Sequence, residues 1–400
     1  MVLTRRKLRR RKQILAIVLT FLVAGGAFIA FAKLGPKSNK TTSAESSASS
    51  KPSSKERAGK TLKKKSRAAS KKTAESPLKE IFVVLAGDIL FDRQVGSLID
   101  GSGPDAPFSY VAPILQSGEI TLANLECPLS NKGSKLAEKD VTFRGRTSAV
   151  TGIKNSGIDV VSMANNHALD CGPEALQDTI ALLDKNNIGH SGAGMNINEA
   201  VKPAYFTAGE KGKKKKVAFL AFSYMIPPGF YPTDQRAGVA PARPKTELVT
   251  NAIKEAKKKS DFVICSFHWG IEYEDYPVQH QTDLARICID SGADVVMGHH
   301  PHVIQGIELY KGKLIAYSLG DFIFDHYSRK TGETFILKCT LSEQKTLSAT
   351  MIPVYITSFG QPRIVHGEEA NVILGRLSKI SAKFGTVMKI EQDQAILEVK

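Results

Sequence analysis

The sequence predicts an α/β domain carried behind a basic, then apolar, then polar N-terminal arm. Three observations lead there. Short runs rich in Val, Ile and Phe alternate with segments whose apolar residues recur at helical spacing. The runs are apolar at nearly every position rather than at alternate ones, as in strands buried on both faces. Each run also stops abruptly at a polar cluster. With 400 residues the chain is long enough to bury a large core.

The arm comes first in the chain and explains the charge. The formal net charge is +16, yet residues 1–78 hold 20 of the 55 Lys and Arg and only 3 of the 39 Asp and Glu. The remainder carries 35 basic against 36 acidic residues, so the predicted domain is close to neutral. A basic nucleic-acid-binding face is therefore not expected, and no nucleic-acid partner is assigned. Residues 1–13 include "RRKLRRRKQ" and read as a cytoplasmic basic tail. Residues 14–32, "ILAIVLTFLVAGGAFIAFA", are uncharged and long enough to span a bilayer. The positive residues before the run put the N-terminus in the cytoplasm and the main domain outside the cell, as a single-pass protein of the cell membrane. A cleaved signal peptide ending at "AFA" (Ala30 to Ala32) is the rival reading, and the length of the run favours an anchor. Residues 33–78 are Lys, Ser and Ala with little to bury, which predicts a disordered stalk extended by self-repulsion. As a spacer it lifts the domain off the membrane; as a polycation it also attracts polyanions.

The domain is expected over 79–357, with a C-terminal extension over 358–400. Its strands read as "IFVVLAGD", "EITLANLE", "IDVVSMANNHALD", "DFVICSFHWGIEY", "ADVVMGHHPH" and "LIAYSLGDF". Helices are expected in "GPEALQDTIALLDKNN", "KTELVTNAIKEAKKKS" and "QHQTDLARICIDSGA", the last closing on Gly292. The lysines Lys213 to Lys216 read as a solvated hairpin tip before the strand "VAFLAF". Five cysteines without a C-x-x-C pair do not read as a disulfide framework, and Cys265 and Cys288 sit in apolar stretches as core residues.

The strand ends carry the chemistry. In α/β sheets ligands bind beyond the carboxyl ends of the strands. Asp88 and Glu126 offer carboxylate oxygens, Asn166 an amide oxygen, and His268, His300 and His302 imidazole nitrogens. This mixed set suits Mn, Zn or Fe better than Ca or Mg, and is large enough for two divalent ions bridged by a carboxylate. In an extended "HPH", His300 and His302 would project to one side and His299 to the other, as a structural donor. Singly, each has a plainer reading: Asp88 a turn residue, Asn166-His167 a helix cap, His268 a core histidine. Arg93 either meets a substrate phosphate or carboxylate, or pairs with Asp92 or another neighbour. Their recurrence at five separate strand ends favours one shared site.

In order along the chain, "GDILFDR", "ANLECPLS", "ANNHALDCG", "SGAG", "SFHWGIEYED", "ADVVMGHHPHVIQGIE" and "YSLGDFIFD" closely resemble the bacterial capsule synthesis protein family (CapA or PgsA), whose members serve poly-γ-glutamate synthesis in Gram-positive bacteria. That family is similar in turn to calcineurin-like metallophosphoesterases. The resemblance implies a two-sheet sandwich flanked by helices, with metals at Asp88, Glu126, Asn166, His268, His300 and His302. It gives His167 a role at the leaving group or transition-state charge; Asn166 and, on its own chemistry rather than the resemblance, Arg93 join it as candidate catalytic residues. Two departures stand out. A phosphoesterase ligand histidine is expected at position 90, which is Leu90, and Asp321 stands where the capsule family usually has Asn. His299, Asp321 or water would have to make up the missing ligand.

Two function classes follow. The first is a membrane-anchored component of a capsule or poly-γ-glutamate synthesis and export complex, with other subunits and an anionic polymer as partners. The second is an extracellular metal-dependent hydrolase of the metallophosphoesterase type. The resemblance implies a fold and a metal site more firmly than it implies turnover. A Ser or Cys nucleophile is not favoured, since no G-x-S-x-G is present.

Overall fold

The computed structural model describes residues 80–209, 214–243 and 246–397. The tail, apolar run and stalk expected over 1–78 lie outside the described residues, as does Lys213 in the lysine run. Among the described residues no helix is long and apolar enough to cross a membrane.

The fold is α/β, with two large sheets. The larger runs Met388–Glu391, Gln394–Leu397, Thr346–Ile356, Glu333–Ser342, Glu80–Ile89, Ile120–Leu125, Val160–Ser162, Gly189–Ser191, and the short strand Asp321–Ile323 also pairs with Glu80–Ile89. The smaller runs Ile307–Tyr310, Lys313–Ala316, Val295–His299, Phe262–His268, Lys215–Ser223, Ala204–Ala208. Strands Ile120–Leu125, Phe262–His268 and Val295–His299 are buried at every residue, as their unbroken apolar character predicts.

Three apolar clusters define the layers. One lies between the sheets, joining Val83, Leu85 and Leu122 of the larger to Phe219, Ile264, Val295 and Met297 of the smaller. A second packs Val84, Ala86 and Ala123 from the other face of the larger sheet against Val95, Ile153 and Leu176 on helices. A third packs Leu220, Val263 and Val296 against Val249, Ile253, Leu284 and Cys288. Strand alternation sends successive residues to opposite faces, so Val83 and Val84 end in different cores. The result is two stacked sheets with helices outside both.

The three helices expected between strands are present at Pro173–Lys185, Thr246–Lys257 and Gln279–Asp290. Pro173 starts its helix where the missing N–H costs nothing, and Gly292 follows the third at φ 113°. The strands flanking the lysine run pair antiparallel, Ala208 opposite Lys215. All five cysteines are buried and unpaired. Beyond Ile356 the chain continues into the same body. The helix Gly367–Ser381 buries Ala370, Ile373, Leu374 and Leu377 in the cluster between the sheets, and three more strands, Pro362–Ile364, Met388–Glu391 and Gln394–Leu397, join the larger sheet.

Gly87 and Gly298 permit close backbone approach at the strand ends. A Cβ on Gly87 would lie 2.0 Å from the carbonyl oxygen of Gly320, and one on Gly298 2.0 Å from that of Tyr317. Neither carbonyl can rotate away, because Gly320 O accepts from Asp88 N and Tyr317 O from Trp269 Nε1. Gly87→Ala is expected to destabilise the domain by about 3 kcal/mol, the upper part of the overpacking range. Urea unfolding of the variant beside the parent checks it, and an unchanged midpoint would contradict this packing.

Candidate metal centre

The site arises from parallel pairing. Glu80–Ile89, Ile120–Leu125 and Val160–Ser162 run parallel in one sheet; Lys215–Ser223, Phe262–His268 and Val295–His299 run parallel in the other. Parallel strands deliver their carboxyl ends to one edge, and the register sets which side chains meet there. Asp88 stands opposite both Asn124 and Asp321, and His268 opposite His299. The polar clusters that end the apolar runs therefore share one location.

Asp88 is the hub. Its Oδ1 accepts from Asn124 Nδ2 at 3.0 Å and lies 2.7 Å from His299 Nδ1, while Oδ2 accepts from the backbone N of His300 at 3.2 Å. Glu126 Oε1 lies 4.0 Å from His268 Nε2 and 3.9 Å from His167 Nε2. His268 Nε2 is 2.7 Å from Asn166 Oδ1. His302 Nδ1 is 2.8 Å from Asp321 Oδ1. The rings of His268 and His300 have centroids 4.7 Å apart, and those of His300 and His302 5.9 Å. Asp88, Glu126 and His268 each bring a ligand atom within 4.8 Å of the others; so do Asp88, His302 and Asp321, and so do Glu272, His300 and His302.

The residues fit a divalent metal. Buried Glu126 Oε1, His268 Nδ1 and His300 Nδ1 have no hydrogen-bond partner, an expensive condition for atoms shut away from water. Burial and the adjacent Asp88 charge push Glu126 well above the usual carboxylate range. Burial opposes the charge on Asp88 too, but His299 and His302 outweigh it and hold that carboxyl below its ordinary value. Burial drives His268 well down and His300 to about 3, each helped by neighbouring imidazoles. On His302 burial is outweighed by Asp321, Glu126 and Asp88, which raise it to about 10. The neutral imidazoles of His268 and His300 among crowded carboxylates are donors that a cation would satisfy.

A cleft of about 490 Å³ opens beside this cluster, bordered by Arg93, Lys139, Asn166, His167, His302 and Asp321 among others. His167 is held from behind. Its Nδ1 lies 2.6 Å from Asp170 Oδ2 and 3.0 Å from Lys139 Nζ, and Lys139 also bonds Asp170 and the carbonyl of Asn166. Burial lowers His167 to about 4, so the ring is neutral near pH 7. Arg93 stacks over Phe143 at 4.5 Å, hydrogen-bonds the Tyr327 hydroxyl and lies 3.7 Å from Asp325. Its neighbour Asp92 pairs instead with Lys135 and Arg146.

Every residue expected at the site is brought to it: Asp88, Glu126, Asn166, His268, His300 and His302 to the cluster, His167 and Arg93 to the cleft. The route differs for the last two candidates. His300 and His302 adopt φ of 93° and 58°, so they converge through left-handed turns rather than an extended "HPH". Asn166-His167 caps no helix, since the next helix follows Gly172. Leu90 is buried in apolar core and offers no ligand, whereas Asp321 sits against His302. Sequence reasoning named Asp321 only as a substitute, counted Glu272 and Asp170 among the polar residues at the strand ends without giving either a role, and did not place Lys139 in the site. The acidic "LGDF" was the signal for the first; nothing in local pattern marked Lys139, which lies in a loop outside any strand end.

A family model described as "Bacterial capsule synthesis protein PGA_cap" matches residues 82–326. Among curated proteins, the chain is 35% identical to the "PGA biosynthesis protein CapA" of Bacillus subtilis (strain 168) over 68% of its own length and 70% of that protein. It is 28% identical to the "Capsule biosynthesis protein CapA" of Bacillus anthracis, covering 80% of this chain and 78% of that one. A "Probable polyglutamine synthesis accessory protein" of Mycobacterium tuberculosis (strain ATCC 25618 / H37Rv) is also 28% identical, over 70% of this chain and 77% of that one. The family match takes in the strand ends that build the site, from Asp88 to Asp325, and on it the chain belongs to the bacterial capsule synthesis protein (PGA_cap) family.

Proposed function

We propose that this protein is a membrane-anchored, outward-facing component of capsule or poly-γ-glutamate synthesis, handling an anionic polymer beside other subunits of the synthesis and export machinery. The observation that carries the reading is the 35% identity to a PGA biosynthesis protein across most of both chains. The apolar run over 14–32, with basic residues before it, supports the anchor and its direction. The cationic stretch over 33–78 supports attraction to a polyanion, through long-range forces that salt screens.

A second reading, an extracellular metal-dependent hydrolase of the metallophosphoesterase type, is favoured by the unpartnered buried donors gathered beside an open cleft. Asp88, Glu126, Asn166 and His268 would hold one divalent ion, and His300, His302 and Asp321 would contribute to a second, with Asp88 and Glu126 near both. Bound there, Mn, Zn or Fe would supply Lewis acidity and activate water for attack. The chain's own part is positional. Asp170 and Lys139 fix the His167 ring with Nε2 toward the Glu126 side, where it can hold or pass a proton at a leaving group. Arg93, braced by Phe143 and Tyr327, presents a guanidinium to a phosphate or carboxylate entering the cleft.

Three outcomes are expected. The full-length protein retains transition metal through purification and a His268→Ala/His300→Ala double variant does not, as read by elemental analysis; equal metal in both removes the site. His167→Ala leaves the fold and metal content intact. If the protein is a hydrolase, it lowers phosphodiester or polymer turnover by roughly 100-fold, the scale of a lost general acid or base; undiminished polymer production in cells carrying His167→Ala favours the non-catalytic role. Finally, removing residues 33–78 weakens retention on immobilised poly-γ-glutamate, and added salt weakens the parent in the same way. Retention that ignores both changes contradicts a polyanion role for this stretch.

A further inference from the structure

We propose that Glu272 completes a two-histidine, one-carboxylate metal position with His300 and His302, and that Arg376 on the C-terminal helix positions the loop that delivers it. The inference rests on the metal reading of the same centre and adds a ligand to it.

One ligand atom from each of Glu272, His300 and His302 lies within 4.8 Å of the others. Two imidazoles and one carboxylate with open positions form a recurrent set for Zn or Fe. His300 is buried, and its Nδ1 has no hydrogen-bond partner. Glu272 is exposed at the cleft, and its carboxylate makes no hydrogen bond or ion pair among the described residues. Metal binding would give that carboxylate a partner and would engage the His300 ring. The position also answers the ligand shortage left by Leu90.

The backbone around Glu272 is tied down although its side chain is not. Tyr273, at φ 68°, donates its N–H to Pro301 O at 2.8 Å, which joins the loop to the histidine turn itself. Lys330 Nζ donates to Tyr273 O at 2.6 Å, and Gln305 Nε2 to Glu274 O at 3.0 Å. Asp275 is then gripped by Lys330 at 3.0 Å and by Arg376. Arg376 simultaneously donates to Glu333 Oε2 at 2.8 Å, so the guanidinium is itself fixed to a strand of the larger sheet. The helix that carries it, Gly367–Ser381, lies beyond the family match at 82–326 yet is packed into the core between the sheets. It acts as a strut. Its core face anchors it, and Arg376 reaches from it to the loop at the rim of the centre. A carboxylate held on a constrained backbone loses less freedom when it binds, so it binds more tightly.

The test loads the full-length chain with Mn²⁺ or Zn²⁺ alone, then measures stoichiometry by elemental analysis and affinity by calorimetry. The parent is expected to hold two ions per chain. In Glu272→Gln one ion is retained and the other binds roughly 100-fold more weakly, at least the upper range for loss of a supporting group. Arg376→Met is expected to weaken the same ion by about ten-fold, with recovery in Arg376→Lys, as for an outer-shell partner. Melting temperatures of the variants track the fold, and Glu272→Gln, an exposed and unpartnered group, should leave its own unchanged. Two ions of parental affinity in Glu272→Gln would overturn this inference and leave the metal reading standing. A parent that takes up no metal would overturn both. An Arg376→Met variant with parental affinity would remove the strut.

Discussion

The molecule is organised around one buried carboxylate between two sheets. Asp88 comes from the larger sheet, yet two of its closest partners, His299 and the backbone N–H of His300, come from the end of a strand in the smaller. A carboxylate taken out of water is tolerable only when its lone pairs are satisfied. The carboxyl ends of both sheets must therefore stay within hydrogen-bond reach, and close approach has to be possible there. Gly298 against Tyr317 and Gly87 against Gly320 let the chain that passes from the smaller sheet to the larger, residues 317–321, lie close against both strand ends. The same closeness sets Asp321 beside Asp88 in register, which creates the crowding of carboxylates at the centre.

That crowding has an electrostatic consequence. Glu126 is pushed up, His268 and His300 are pushed down, and His302 is pushed up by the carboxylates around it. Such an arrangement is a poor way to stabilise a fold by itself, since paired buried charges seldom repay their desolvation. Strain points the same way. Arg93, Tyr273, His300 and His302 all hold positive φ around the one cleft, a cost that cores avoid and functional sites accept.

The charge of the cleft bears on how an anionic polymer could be met. Its walls carry Arg93, Lys139 and His302 but also Glu138, Asp140, Glu272, Asp321 and Asp325, and all three basic groups are already engaged with acids. Side chains alone therefore make an acidic recess. A polyanion would be drawn by the basic arm, or by cations held at the cluster, rather than by the walls.

Much was legible in the sequence because two local signals carried it. Unbroken apolar runs require strands covered on both faces, and that requirement alone gives the α/β class. The polar clusters ending those runs mark Asp88, Glu126, Asn166, His268, His300 and His302, because parallel strands finish on one edge whatever their order. What no run could reveal is how the strands divide between two sheets, since every fully apolar strand looks alike in sequence. The turn that aims His300 and His302 was equally hidden, because a left-handed backbone at histidine has no local cause and is imposed by packing against Asp88 and Asp321. Lys139 behind His167, and Arg376 behind the Glu272 loop 101 residues away from Asp275, are contacts of pure tertiary origin. Periodicity reports which face of an element is buried; only the folded chain decides what that face meets.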